Sequence, residues 1–220
     1  MVSEPVEALY PFLGDGATDP EPVLADVRQS TLKKRDDVVA LRRATWERHA
    51  DDLVRAARIV ARAAARGGKV LTFGNGGSAT DARDLAADLA DPPLAGQRGI
   101  PALDLTRQIS TVTAVANDVG FERVFVRQVI AFGNAGDVAI GFSTSGESGN
   151  VVAALETAKE RGLATIGFAG DEGGRMAEPG FLDVCVVAPS AYVPRIQEAH
   201  ATAYHAMVEM AQAALAEEGA

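Results

Sequence analysis

A chain of 220 residues, 47% of them hydrophobic and 23% charged, is long enough to bury the core of one globular α/β domain. Its net charge of −9 repels the phosphates of nucleic acids and of anionic membranes, so we expect neither as a partner. The acidic N-terminus lacks an apolar targeting segment, and no apolar run reaches the length of a membrane span, which predicts a cytoplasmic protein.

The N-terminal region is predicted to be an arm. Residues 1–21 are rich in Pro, Gly and Asp and show little hydrophobic periodicity. Four apolar side chains in it offer an anchor on a neighbour, namely Leu9, Tyr10, Phe12 and Leu13. We place the arm at residues 1–34 and a single domain at residues 35–220.

A long helix is predicted over residues 36–66, and glycines at 67 and 68 end it. Its apolar positions recur mostly in steps of three and four residues, which suits packing on another helix. These positions, here called the α-seam, are Val39, Trp46, Ala50, Leu53, Ala57, Val60 and Ala64. Its lysines and arginines interleave with Asp and Glu, so we interpret them as a solvated face rather than a basic patch.

A glycine-rich segment follows the first predicted strand, residues 69–73. The segment GNGGS occupies residues 74–78 and is here called the glycine loop. Ser78 and Asp81 have the spacing of a capping box, with Asp in place of the usual Glu or Gln. The pattern predicts a helix over residues 79–90, which an Asp-Pro-Pro sequence then ends.

Strands and helices alternate in the remainder of the chain. Strands are predicted over residues 100–105, 138–142, 164–169 and 182–187, and helices over residues 108–116, 121–132, 151–161 and 194–217. This alternation predicts an α/β fold with a doubly wound parallel sheet and ligands at the carboxyl ends of its strands. The single cysteine, Cys185, excludes an internal disulfide and is expected to be buried.

The strongest functional signal is the segment STSGESG at residues 143–149, here called the serine loop. A strand that ends in hydroxyls and glycines before a helix presents hydroxyl groups, unpaired N–H groups and the positive end of the helix dipole at one point. That combination favours the binding of a phosphate group. An ordinary turn or helix cap uses the same residue types, but four hydroxyls within six residues exceed what a cap needs. Because the loop contains no lysine and no Walker pattern, a sugar phosphate suits it better than a nucleotide triphosphate.

Four segments in order resemble the sugar isomerase (SIS) domain family, and within it the phosphoheptose isomerases. They are GNGGSATDA at residues 74–82, TAVANDVGF at 113–121, STSGESGNV at 143–151, and RIQEAH at 195–200 followed by His205. The resemblance covers residues 35–210. It implies a three-layer α/β/α sandwich with a five-stranded parallel sheet, and long N- and C-terminal helices that meet in a homotetramer with sites between subunits. The implied reaction converts sedoheptulose 7-phosphate, a ketoheptose 7-phosphate, into D-glycero-D-manno-heptose 7-phosphate.

The resemblance also implies roles for individual residues. Sugar contacts fall on Asn75, Gly76, Gly77, Ser78, Asn117, Asp118 and Gln197. Phosphate contacts fall on Ser143, Thr144, Ser145 and Ser148. Gln197 and His205 match family residues at the reactive end, which bind zinc in the members that carry it.

Two departures from the family pattern lie at the reactive end. On the helix after the glycine loop the family has His and, four residues later, Glu, whereas this chain has Asp84 and Asp88. A basic residue typical of the family's substrate contacts falls near Pro92. Carboxylates at i and i+4 lie on one helix face, about 5 to 6 Å apart at Cβ, and repel each other. Three alternatives stay open: solvent screens them, one holds a proton at a raised pKa, or a cation lies between them.

The last predicted helix places Gln197 and His205 on one face, whereas His200 falls off that face and is interpreted as structural. Gln197, His205, Asp84 and Asp88 together offer three oxygen donors and one nitrogen donor. Such a set suits zinc less exclusively than a His-rich site does, and manganese or an empty site agrees with it as well. Aldose–ketose isomerisation needs a base and an acid, and we assign Asp88 as the base and His205 as the acid. Asp is one methylene shorter than Glu, and a displacement near 1 Å can lower the rate about a hundredfold.

Two functions follow from these patterns. The first is a phosphoheptose isomerase or a relative that acts on another ketose phosphate. The second is a non-catalytic regulator or adaptor that binds a sugar phosphate, because the family's His and Glu are replaced. A homotetramer is expected because the α-seam and an apolar face of the last helix need more partner surface than one sandwich supplies. That face comprises Ile196, Ala199, Ala203, Met207 and Met210.

Overall fold

The computed structural model describes residues 20–92 and 96–218, so most of the predicted arm, with its four apolar anchors, lies outside the described residues. The chain divides into two units, residues 1–37 and 38–220. Helix α1 (Pro20–Ala65) begins well before the predicted residue 36. Proline is a favoured first helical residue, and the good helix formers that follow it sustain the helix without an amphipathic pattern.

Helix α1 departs from helical geometry at His49, where φ is −128° and ψ is 18°. His49 is buried, and its Nδ1 lies 2.9 Å from Oδ2 of Asp52. Before this kink the α-seam is exposed, at 51% for Val39 and 48% for Trp46. After the kink it packs into the core of its own domain through Leu53, Ala57, Val60 and Ala64. The predicted seam is therefore buried only in its second half.

Five parallel strands form one sheet in the order β2-β1-β3-β4-β5. They are β1 (Val70–Gly74), β2 (Ala102–Asp104), β3 (Val138–Ser143), β4 (Ala164–Gly170) and β5 (Val184–Ala188). Strands β1 and β3 are buried along their whole length, as expected of parallel strands covered on both faces. Cys185 lies on the edge strand β5 and is only partly buried, which corrects the expectation of full burial. Burial still raises the pKa of its thiol to about 12.

Helices cover both faces of the sheet. They are α2 (Gly77–Ala90), α3 (Ile109–Asp118), α4 (Val124–Phe132), α5 (Gly149–Glu160) and α6 (Val193–Glu218). One core joins the sheet to α2, α6 and the second half of α1, and the other joins it to α4 and α5. This arrangement confirms the predicted α/β/α sandwich with long terminal helices. None of the described helices has the length and apolarity that a membrane crossing requires.

The start of α2 differs from the prediction. Its N-cap is Gly76, with φ 56° and no side-chain hydrogen bond to the helix end. Ser78 and Asp81 both lie inside α2 and are buried, so the predicted capping box is wrong. Glycine adopts a positive φ at little cost, which lets the chain turn into the helix two residues earlier.

The apolar face of α6 also has a different role from the one predicted. Most of its residues lie in the core of their own chain, namely Ile196, Ala199, Ala203 and Met207. Met210 is partly buried against the same core. This face therefore holds α6 on the sheet and offers little surface to a second subunit.

Candidate functional site

The glycine loop and the serine loop follow neighbouring strands. Strands β1 and β3 pair directly, with Gly74 opposite Phe142 at their carboxyl ends. Because β2 and β3 flank β1 on opposite sides, the strand order reverses at this point. Such a topological switch point opens a crevice at the carboxyl edge, where doubly wound sheets bind their ligands. The two loops border that crevice.

Two asparagine side chains join these loops. Nδ2 of Asn75 donates to Oδ1 of Asn150 at 2.8 Å, and Nδ2 of Asn150 donates to Oδ1 of Asn75 at 2.9 Å. Asn150 is 3% exposed, and Asn75 is half-buried. The sequence prediction placed Asn75 among the sugar contacts and missed Asn150. The only local signal was an asparagine in the first turn of a helix, where that residue type is a poor helix former.

Hydroxyl groups within the serine loop bond to one another. Oγ of Ser143 lies 2.9 Å from Oγ of Ser148 and 3.4 Å from Oγ of Ser145. Ser143 is buried, Ser145 is exposed, and Thr144 and Ser148 are intermediate. Helix α5 begins immediately after these hydroxyls. The loop thus combines hydroxyl donors with a helix N-terminus, the two features that hold a phosphate.

The turn after β4 holds the tip of the serine loop. Gly146 has φ 68°, and a Cβ at this position would overlap the carbonyl oxygen of Gly173. The N–H of Met176 donates to the carbonyl oxygen of Gly146 at 3.2 Å. The N–H of Arg175 donates to Oε1 of Glu147 at 2.6 Å. Only glycine fits at position 146, because both its backbone conformation and its neighbour exclude a side chain.

Helices α2 and α6 bring Asp88 and His205 together. Nε2 of His205 lies 3.1 Å from Oδ2 of Asp88, and the two side chains are 53% and 28% exposed. Asp84, one turn earlier, is 51% exposed and lies 3.9 Å from Nε of Arg83. Of the alternatives for the carboxylate pair, screening by solvent fits Asp84. Asp88 instead has a defined partner.

Gln197 reaches the glycine loop from α6. A Cβ on Gly77 would overlap Nε2 of Gln197, so the side-chain amide lies directly against the backbone of the loop. Gly76 has no neighbour within 4 Å of such a Cβ. The contact between Gly77 and Gln197 therefore links the helix that carries His205 to the glycine loop.

Asn117 and Asp118 lie apart from these groups. They end α3, both are exposed, and Nδ2 of Asn117 donates to Oδ1 of Asp118 at 2.7 Å. Helix α3 has no buried residue. Within the described ranges, no hydrogen bond joins either side chain to the glycine loop or the serine loop. The described hydrogen bonds therefore do not connect them to either loop, and their place in the site stays a prediction.

Asp81 is a buried carboxyl group that sequence reasoning assigned only to helix capping. Burial, and then the charge of Asp84, raise its pKa to about 7. Its Oδ2 has no hydrogen-bond partner in the described part of the chain. Burial raises the pKa of Tyr204, and the carboxylates of α2 raise it further. This side of the reactive end is therefore electronegative.

His200 occupies the core and not the crevice. It is fully buried, and its Nε2–H donates to the carbonyl oxygen of Ala169 at 2.8 Å. Its ring packs against the rings of Phe142 and Phe168. Burial lowers the pKa of the imidazole to about 4, so it is uncharged at neutral pH. These contacts agree with the structural role predicted for His200.

The predicted metal ligands are Asp84, Asp88, Gln197 and His205. Among residues 20–92 and 96–218, no group of three or more His, Cys, Asp or Glu side chains is placed to hold a metal ion. Asp88 lies 3.1 Å from His205, and Asp84 is half-exposed one turn away. The described residues therefore show no metal site, and the set Asp84, Asp88, Gln197 and His205 stays a prediction.

Comparison with protein families and known sequences gives a consistent result. The model of the SIS domain matches residues 35–170. A phosphoheptose isomerase from Roseiflexus sp. strain RS-1 is 43% identical over 180 residues, which cover 82% of this chain and 90% of that protein. Another, from Desulfovibrio desulfuricans, is 47% identical over 174 residues, covering 79% of this chain and 82% of the relative.

Solved structures show the same similarity. A phosphoheptose isomerase from Neisseria gonorrhoeae superposes with a TM-score of 0.79 at 33% identity, covering 85% of this chain and 99% of the other. One from Francisella tularensis has a TM-score of 0.79 at 27% identity, covering 85% and 98%. The similarity thus extends over nearly the full length of both solved chains.

Proposed function

Because the chain belongs to the SIS-domain family, and within it to the phosphoheptose isomerases, we propose that it is an aldose–ketose isomerase of a phosphorylated heptose. The proposed reaction converts sedoheptulose 7-phosphate into D-glycero-D-manno-heptose 7-phosphate. The observation that carries the proposal is the close contact of Asp88 with His205, 3.1 Å apart, in a chain that also carries both loops. An acid and a base in mutual reach are what the chemistry requires.

The serine loop binds the phosphate in this proposal. The hydroxyls of Thr144, Ser145 and Ser148 donate to the phosphate oxygens, and Ser143, whose hydroxyl donates to Oγ of Ser148, completes the phosphate site. The N-terminus of α5 adds unpaired N–H groups and the positive end of its dipole. The chain is acidic overall, so this local positive potential provides the attraction.

The sugar extends from the serine loop towards α6. Its hydroxyls contact the glycine loop at Asn75, Gly76, Gly77 and Ser78, and the side chain of Gln197 beside it. Asn117 and Asp118 lie on an exposed helix end. We propose that they contribute to the site of a neighbouring subunit, which their exposure permits.

Asp88 and His205 carry out the proton transfers. The carboxylate of Asp88 removes a proton from C1 of the ketose, the C1–C2 double bond forms, and His205 gives a proton to the carbonyl oxygen on C2. The resulting enediol then receives the proton from Asp88 at C2, while His205 takes the proton from the oxygen on C1. The aldose is formed, and both side chains return to their starting states.

The direct test is incubation of the purified protein with sedoheptulose 7-phosphate. The expected product is an aldoheptose 7-phosphate, identified by chromatography and mass spectrometry. Binding of the substrate without turnover, with or without added zinc or manganese, would overturn the isomerase assignment.

A second candidate function is a non-catalytic sugar-phosphate-binding regulator or adaptor. The replacement of the family's His and Glu by Asp84 and Asp88 favours it. Comparison of His205→Ala with Ser145→Ala separates the two functions. An adaptor loses its function only in Ser145→Ala, the variant of the serine loop, whereas an isomerase loses activity in both variants.

Zinc is the cofactor that the sequence predicts, with Asp84, Asp88, Gln197 and His205 as its ligands. This zinc set stays a prediction, and no catalytic step depends on it, because no group of three or more His, Cys, Asp or Glu side chains in the described residues is placed to hold an ion. A zinc ion would supply polarisation of the carbonyl oxygen.

We also propose a homotetramer. The proposal is supported by large exposed apolar side chains that a contact with another subunit would bury. The domain carries them on α1 and around α3, at Val39, Trp46, Ile109, Val119 and Phe121. The domain limits at residues 35–220, the arm at residues 1–34 and the cytoplasmic location stay predictions.

A further inference from the structure

We propose that Asn150 is a positioning residue, which forms with Asn75 a clasp across the crevice between β1 and β3. The clasp rests on the proposed function, because it assigns Asn150 a role in the sugar-phosphate site. Asn75 follows β1, and Asn150 lies in the first turn of the helix after β3. Their paired amides therefore span the switch point at which the ligand binds.

Hydrogen-bond accounting shows how the clasp orients Asn75. A primary amide has two N–H donors and an oxygen that accepts two bonds. Each member of the pair uses one donor and one acceptor site on the other. Asn150 is 3% exposed, so its amide is committed to the pair. Asn75 is half-buried and keeps one N–H and one acceptor site, in a fixed direction, for a sugar hydroxyl.

The packing beneath the clasp brings its two members within reach. A Cβ on Gly141 of β3 would lie 2.9 Å from Leu155, 3.0 Å from Val151 and 3.2 Å from Phe73. The absence of a side chain at this position lets α5 lie close against β3 and beside β1. This close approach sets the first turn of α5 at the height of the glycine loop.

The clasp continues into contacts that lead to the reactive end. The carbonyl oxygen of Asn75 accepts the N–H of Ser78 at 3.0 Å, and Gly77 lies against Gln197 of α6. His205 lies on the same helix as Gln197. The phosphate end and the reactive end of the crevice are therefore held at a defined spacing. Fixed spacing matters because small displacements of reacting groups lower the rate steeply.

The first test needs no ligand. Amide hydrogen exchange is measured on the full chain for Asn150→Ala and for Gln212→Ala as a matched control. Gln212 is also a buried amide with two hydrogen bonds, to the backbone of Arg98, which precedes β2, whereas both loops follow the carboxyl ends of strands. Asn150→Ala is expected to accelerate exchange in the glycine loop and the serine loop together, and Gln212→Ala in neither. Acceleration confined to the serine loop, or no acceleration, would overturn the clasp.

The second test compares two ligands by calorimetry. Asn150→Ala is expected to weaken binding of sedoheptulose 7-phosphate about tenfold and of inorganic phosphate by less than about twofold. Asn150→Asp, which keeps the side-chain volume and one acceptor, is expected to fall between wild type and Asn150→Ala. An equal loss for both ligands would reveal a merely structural role and overturn the proposal.

Failure of the clasp and failure of the isomerase assignment are distinguishable. The exchange experiment involves no turnover, so coupled acceleration of both loops supports the clasp even in a protein that converts no substrate. A protein that isomerises the heptose phosphate while its loops exchange independently in Asn150→Ala would keep its function and lose the clasp.

Discussion

Nε2 of His205 lies 3.1 Å from Oδ2 of Asp88, although more than half of the chain separates the two residues in sequence. Each lies on a helix that packs on the same face of the sheet, and each is partly open to solvent. A substrate can therefore reach the pair, in which the carboxylate lies beside the imidazole. This geometry supports the proposal that Asp88, rather than Asp84, is the carboxylate that works with His205.

Substitution of either member of this pair is expected to abolish most of the activity. Asp88→Asn and His205→Gln should each lower kcat by about 10²- to 10⁴-fold with little change in KM, because each removes one proton-transfer group. Steady-state kinetics with sedoheptulose 7-phosphate measure the effect. His200→Gln, a buried histidine outside the crevice, is the control and should keep kcat near the wild-type value. Wild-type kcat in Asp88→Asn would contradict the assignment.

Asp88→Glu tests whether reach limits catalysis. The variant restores the longer side chain of the family and keeps the charge, so kcat is expected to equal or exceed the wild-type value. The same kinetic assay measures it. A loss as large as that of Asp88→Asn would show that the shorter carboxylate is the one this site requires.

Two glycine-to-alanine substitutions should separate activity from stability. Gly77→Ala displaces the flexible end of Gln197, so it should lower kcat/KM about tenfold with little change in Tm. Gly146 has φ 68°, and a Cβ at this position would overlap the backbone of Gly173. Gly146→Ala should therefore lower the free energy of unfolding by about 1–3 kcal/mol. Thermal unfolding and kinetics measure both. An unchanged Tm in Gly146→Ala would contradict the close contact with Gly173.

The stability of the protein should depend on the ionisation of Asp81. Its pKa is about 7 in the folded protein, above the ordinary value of 3.8, so the native state holds a proton that the unfolded state has released. The contribution of this protonation to the free energy of unfolding is therefore full below about pH 4 and is lost as the pH rises through about 7. Asp81→Asn cannot ionise, and its advantage over wild type in unfolding free energy should grow from pH 4 to pH 8. Urea unfolding across this range tests the slope, and a difference independent of pH would contradict it.

The zinc set predicted from the sequence can be tested against the arrangement in the structure, which predicts that zinc shifts the melting temperature of wild type and of Asp84→Ala with Asp88→Ala by the same amount. The reason is geometric, because Asp88 lies 3.1 Å from His205 and Asp84 is half-exposed. Melting curves with added metal, together with elemental analysis of protein purified without chelator, measure it. A rise confined to wild type that fades below about pH 6, where imidazole becomes protonated, would instead establish the zinc set predicted from the sequence.

Light scattering is expected to give four times the chain mass of 22.9 kDa. Trp46→Glu should lower that mass, because a charge on a large exposed apolar residue opposes its burial in a contact. Phe132→Glu is the control, since Phe132 is similarly exposed but lies at the end of α4. A monomer mass for the wild-type protein at micromolar concentration would contradict the tetramer.

Local sequence determined the sheet and the places of its two loops. The apolar run at residues 138–142 predicts β3 to within one residue, because strand formation there depends on a short buried segment bounded by turn residues. The positions of the glycine loop and the serine loop are likewise determined by local sequence, since glycine and hydroxyl residues after a strand favour turns. The alternation of elements then determined a parallel sheet.

Tertiary structure decided which side chains meet. The pairing of Asn75 with Asn150, and of Asp88 with His205, depends on how β1, β3, α2 and α6 pack, which no local pattern encodes. The same holds for Asp81, whose spacing from Ser78 predicts a capping residue. The positive φ of Gly76 lets α2 begin earlier, so Asp81 lies inside the helix and is buried. Hydrogen bonds and desolvation act through space, so the chemistry of the crevice follows from contacts between segments that are distant in sequence.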